Sequence, residues 1–125
     1  MQKNKIISVK APQLYLDLLN QIFEIEKKTS QIEETNSILR NINKMKEIFG
    51  NIFSSDAEGE AGLIYYNPID EPYNETRTDL EVSIAGSSAE NLFITEVIKP
   101  IIRYRKGGIN AIAQKGVVIV ETKDI

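Results

Sequence analysis

The run Leu63–Ile84, LIYYNPIDEPYNETRTDLEVSI, is where the chain changes its hydrophobic period. Leu63-Ile64-Tyr65-Tyr66 is a short apolar run closed by Asn67-Pro68, and Asp70-Glu71-Pro72-Tyr73-Asn74 has the composition of a turn. Asp79-Leu80-Glu81-Val82-Ser83-Ile84 alternates polar with apolar residues, the pattern of a half-buried strand. Similar signals continue to the C-terminus. Gly86-Ser87-Ser88 reads as a turn, and Leu92–Ile98 is apolar and β-branched. Pro100 demands an edge position or a bulge. Lys106-Gly107-Gly108 is a hairpin signal between the runs Ile101–Arg105 and Ile109–Ala113, and Val117–Val120 closes the series. Short strands with tight turns over residues 63–125 predict a small all-β, barrel-like domain or a sandwich.

Upstream the period is helical. From Gln13 to Phe53 there is no Pro and only Gly50, and Leu, Ile, Glu, Lys, Gln and Met dominate. Pro12 suits the first turn of a helix. Leu18, Ile22, Ile25, Ile32 and Leu39 follow a four-three spacing, with Thr29 and Asn36 at the intermediate positions. Ile38, Ile42, Met45, Phe49 and Ile52 form a second stripe offset by one residue. Such spacing predicts an amphipathic helix able to pair with another. It is either one helix of about 40 residues, roughly 60 Å long, or a helical hairpin broken near Thr29-Ser30. Ser30 and Glu33 have capping-box spacing, which supports the hairpin. Lys27–Gln31 holds neither Gly nor Pro, which favours the continuous helix. The stripe must cover itself on the rest of the chain or on a second copy. A homodimeric coiled coil with its seam at Leu18, Ile22, Ile25, Ile32 and Leu39 is therefore expected. Ile6-Ile7-Ser8-Val9 reads as a frayed arm or a short strand.

The expected fold class is α+β. It has a helical dimerisation region over 1–53, an acidic hinge loop over 54–62 and a β-domain over 63–125.

Composition narrows the function. The chain has 125 residues and contains no Cys, His or Trp. Disulfides and thiolate metal sites are excluded, and the commonest general base and zinc ligand are missing. No carboxylate pair has catalytic or calcium-loop spacing, and Asp79 with Glu81 reads as a wet strand face. Lys106-Gly107-Gly108 lacks the Ser or Thr of a phosphate loop. No catalytic residue, metal or cofactor is expected, and the chain does not read as an enzyme. No run of about 18 apolar residues predicts a membrane span. The N-terminal MQKNKIISVKAP has no apolar leader core, so a cytoplasmic location is expected.

Charge is divided along the chain. Ser54–Glu81 holds eight acids against Arg77 alone, whereas Val97–Val120 holds Lys99, Arg103, Arg105, Lys106 and Lys115 and no acid. Either the two stretches neutralise each other or the basic one meets a partner. With a net charge of −3 and 7 % aromatic residues, nucleic acid is not the expected partner.

Asp70-Glu71-Pro72-Tyr73-Asn74-Glu75, followed by Thr76-Arg77 and then Thr78-Asp79-Leu80, resembles the segment entering the β-domain of the GrpE family. That family shows Gly-Glu-Pro-aromatic-Asp-Pro, two variable residues, then His-Glu-Ala. Glu71, Pro72 and Tyr73 match and Asp79 stands for the Glu, while Glu75 and Thr78 replace the second Pro and the His. ITEVIKPIIR resembles the family's Glu-Val-Leu strand, and Gly116-Val117-Val118-Ile119-Val120 its closing strand. The resemblance covers about 55 residues, without the family's long N-terminal stalk. It implies a homodimeric nucleotide exchange factor for a DnaK-type chaperone in protein folding. Its β-domain would bind the ATPase domain and open the cleft so that ADP leaves. Arg103, Arg105, Lys106 and Lys115 are the expected partner contacts, on charge and turn position rather than on a family motif. The alternative expectation is a coiled-coil structural or adaptor protein whose β-domain binds another protein.

Overall fold

A computed structural model of the chain describes residues 7–8, 11–32 and 36–123. A two-residue strand, β1 (Ile7–Ser8), comes first, then α1 (Gln13–Thr29) and α2 (Asn36–Gly50). Six strands follow: β2 (Ala61–Tyr66), β3 (Leu80–Ile84), β4 (Leu92–Lys99), β5 (Ile101–Lys106), β6 (Ile109–Gln114) and β7 (Gly116–Thr122). The class is α+β. The Ile6–Val9 run is described only at Ile7–Ser8, which pairs parallel with Ala111 and Ile112 of β6. Ile6 and Val9 lie outside the described residues.

The strands form two open sheets, ordered β1-β6-β5-β2 and β3-β7-β4. This corrects the barrel-like expectation: no closed barrel forms among the described residues, because β1 and β2 edge the first sheet and β3 and β4 the second. The chain crosses between sheets at single residues, Pro100 between β4 and β5 and Lys115 between β6 and β7. Pro100 has no N–H to give either ladder. It is fully buried, and its carbonyl accepts a hydrogen bond from Gln114 Nε2 at 3.0 Å. Two register shifts in β4, at Ile94/Glu96 and Val97/Lys99, bend that strand toward the crossing.

The continuous helix is replaced by the helical hairpin. Ser30 Oγ donates to the Lys27 carbonyl at 2.7 Å, a side-chain bond that competes with continuation of the helix. Six residues separate α1 from α2, so no tight reversal is needed and neither Gly nor Pro is required. Glu33 of the capping box lies outside the described residues. The deeper reason is burial. Leu16, Leu19, Ile22 and Phe23 of α1 join Ile42 and Phe49 of α2 in one core with Leu63, Tyr65, Ile102 and Ile112 of the first sheet. A straight 40-residue helix cannot lay both stripes on the same small sheet.

The core runs on through Ile101 to Leu80, Val118 and Val120 of the second sheet, so helices and sheets share it. Asn20 and Gln114 exchange amide hydrogen bonds at 3.0 and 2.9 Å, fastening α1 to β6. Lys27 Nζ donates to the Val97 carbonyl at 3.1 Å, fastening the end of α1 to β4. The acidic hinge stretch is a tight turn in which Ser55 and Gly59 pair as a β-bridge, and Ala61 and Gly62 already belong to β2. Gly62 lies against the end of α2: a Cβ there would sit 2.2 Å from the Gly50 carbonyl carbon and oxygen. No helix among the described residues is long and apolar enough to cross a membrane.

Candidate protein-binding face

β5 lies between β2 and β6, and its alternate residues Arg103 and Arg105 leave the same face of the sheet, away from the helices. Ile64 of β2 pairs with Arg103, and Asn110 of β6 pairs with Arg105. With Tyr66 at the end of β2 they line a shallow groove of roughly 330 Å³. Ile64 and Tyr66 are exposed there. The two-residue turn Gly107-Gly108 joins β5 to β6, with Gly107 at φ 58, and sets this register.

A chain of charged side chains holds the groove's rim. Arg77 makes a two-pronged contact with Asp79, Nε to Oδ1 at 3.1 Å and Nη2 to Oδ2 at 3.0 Å. Its Nη1 reaches Glu71 Oε1 at 3.0 Å. Arg103 Nη2 stands 3.5 Å from the Asp79 Oδ2 that Arg77 already holds. Tyr66 donates its hydroxyl to Glu71. Burial pushes the Asp79 carboxyl up, but the hydrogen bonds and charge of Arg77, helped by Arg103, hold it below the usual carboxylate range. Burial also opposes the charge of Arg77, and Asp79 and Glu71 outweigh it and raise its pKa. The hydrogen bond to Glu71 raises the Tyr66 phenol.

This network corrects the wet strand face expected for Asp79: its side chain is only 14 % exposed. The signal for it was Arg77, the lone base in an acidic stretch, whose obligatory partners had to lie nearby.

The four basic residues expected at the partner site do not form one patch. Arg103 and Arg105 share the groove, and Arg105 has no ion pair among the described residues. Lys106 projects from the other face of β5 and is held by Glu58 at 2.9 Å. That hydrogen bond raises its pKa. Lys115 sits at the sheet crossing, at the far end of β6 from the hairpin, and makes no ion pair among the described residues. The acidic and basic stretches thus neutralise each other in part, through Glu58 with Lys106 and Asp79 with Arg103.

The five residues of the expected helix seam also separate. Ile22 is 6 % exposed and packs in the chain's own core, and Leu39 is half-buried against it. Leu18 and Ile25 are exposed on the outer side of α1 beside Leu14, and Ile32 is exposed in the bend that follows. No cluster of three or more metal-ligating side chains occurs among the described residues.

No family model, no curated protein and no solved structure matches the chain.

Proposed function

We propose that the chain is a GrpE-like nucleotide exchange factor, acting as a cytoplasmic homodimer on the ATPase domain of a DnaK-type chaperone. The observation that carries this reading is the backbone of Asp70, which has φ 69, the left-handed conformation that favours glycine. Asp70 stands where the family motif has its Gly, directly before the matching Glu71-Pro72-Tyr73. The surrounding geometry gives the matching residues work to do. Asp70 N–H donates to the Ile94 carbonyl, Ile94 N–H to the Glu71 carbonyl and Tyr73 N–H to the Leu92 carbonyl, so the segment lies along the edge of β4. Glu71 and Asp79 then clamp Arg77.

The mechanism is physical. A stiff small domain binds the open nucleotide cleft better than the closed one and shifts the population toward open, so ADP leaves. This needs no His or Cys. Leu14, Leu18 and Ile25 supply an apolar strip on α1 for a second copy to cover. The reading is tested by the affinity of the chain for a chaperone ATPase domain in two states. Tighter binding to the nucleotide-free domain than to the ADP-bound one supports it, and equal binding contradicts it.

A second reading is the coiled-coil structural or adaptor protein whose β-domain binds another protein, supported by the exposed Ile64 and Tyr66 beside Arg105 on the sheet face, a surface not specific to a chaperone. A stable partner that is not a chaperone, held at the β-domain, would favour that reading.

A further inference from the structure

We infer that the outer face of β2 and β5 docks an extended acidic segment of a partner protein, one that turns carboxylates and apolar side chains, two residues apart, to the same side. This deepens the proposed function, because it assigns the chemistry by which the β-domain would hold the chaperone lobe.

The groove offers two different things side by side. Arg105 is an exposed guanidinium without an ion pair among the described residues, and Arg103 gives Asp79 only a 3.5 Å contact, since Arg77 already grips that carboxylate at 3.0 Å. Both can turn a donor fork to an incoming carboxylate. Ile64 and Tyr66 lie alongside as exposed apolar surface, and Asn110 adds an amide beside Arg105. Strand residues alternate in direction, so an extended ligand meets the face with every second side chain, and a carboxylate and an apolar group two residues apart reach neighbouring sites. Arg and Tyr side by side are what protein interfaces favour.

Nucleic acid suits the face less well. Glu71 and Asp79 stand at its rim, Glu60 precedes β2, and of its two guanidiniums only Arg105 has no ion pair among the described residues. A phosphate chain carries charge at every step and would meet these acids, whereas a peptide segment can set its carboxylates at Arg103 and Arg105 alone.

The test is an NMR titration of the isotope-labelled full chain with a synthetic acetylated and amidated heptapeptide, Asp-Ser-Phe-Ser-Glu-Ser-Val, whose odd positions put two carboxylates and two apolar groups on one side. The expected shifts centre on Ile64, Tyr66, Arg103, Arg105 and Asn110. The peptide with every Asp and Glu replaced by Asn and Gln should bind about tenfold more weakly, and Arg105→Glu should lose about tenfold for the acidic one. Arg105 makes no ion pair among the described residues whose loss would unfold the chain, and Lys115→Glu serves as the charge control that binds like wild type. Four results overturn the inference: no shifts at millimolar peptide, shifts centred on Lys99 or Lys115, equal binding of the amide peptide, or tighter binding of a single-stranded oligonucleotide. ADP release from the chaperone separates this face from the proposed function. Equal acceleration by wild type and Arg105→Glu removes the face and keeps the exchange factor. Peptide binding as expected without any acceleration keeps the face and removes the exchange factor.

Discussion

Arg103 shares the Asp79 carboxylate with Arg77, standing 3.5 Å from an oxygen that Arg77 holds at 3.0 Å. One carboxylate thus ties the loop before β3 to the exposed face of β5. Asp79→Asn keeps the shape and removes the charge, leaving two guanidiniums facing a neutral amide. Losing charged hydrogen bonds at a largely buried site should cost about 1.5–3 kcal/mol, measured by urea unfolding at neutral pH.

The same carboxylate fixes an acid dependence. Its folded pKa lies below the unfolded value. Its contribution is therefore fully present above the unfolded value, about 3.9, and is lost as pH falls through the folded one. Wild type should lose stability on acidification below that value more steeply than Asp79→Asn. Parallel curves for the two would contradict the clamp.

Tyr65 carries the opposite dependence at the alkaline end. Burial, then its 2.7 Å hydrogen bond to Glu26, pushes the phenol pKa well up. The folded chain resists ionisation that the unfolded chain undergoes near pH 10, so stability should fall as pH rises from about that point. Tyr65→Phe should cost about 1 kcal/mol at neutral pH through the lost hydrogen bond and should flatten the alkaline limb, followed by circular dichroism.

Gly62→Ala tests how α2 meets β2. The added carbon would fall 2.2 Å from backbone atoms of Gly50, which no rotamer change can relieve. Either α2 lifts or the strand shifts, at a cost of about 3 kcal/mol, read as a lower melting temperature.

The strands were legible because sheet burial writes itself as alternation between turn residues. Asp79–Ile84, Ile101–Arg105 and Val117–Val120 lie within a residue or two of β3, β5 and β7. Pro100, expected at an edge or a bulge, instead stands where the chain leaves one sheet for the other. The helices were less legible, since four-three spacing states that a face is apolar without stating what covers it. Ile22 and Ile25 fit one stripe, yet Ile22 lies under the sheet and Ile25 is 45 % exposed. The break near Ser30 has no Gly or Pro to announce it and follows from where the sheet lies. Asp79 read as a solvated strand residue although Arg77, its main partner, is only two positions away; the second guanidinium, Arg103, comes from 24 positions on.

The proposed dimer is tested on the outer side of α1 and in the bend after it. Ile25→Asp with Ile32→Asp replaces two exposed residues, so the protomer should keep its fold while sedimentation changes from dimer to monomer. Ile22→Asp puts a charge into the core and should unfold the chain. A wild-type monomer at micromolar concentration would contradict the pairing.

The most direct measurement is the rate at which fluorescent ADP leaves a DnaK-type chaperone with and without this chain, across several chaperones. The account predicts faster release that saturates with chain concentration. An unchanged rate with every chaperone would contradict it.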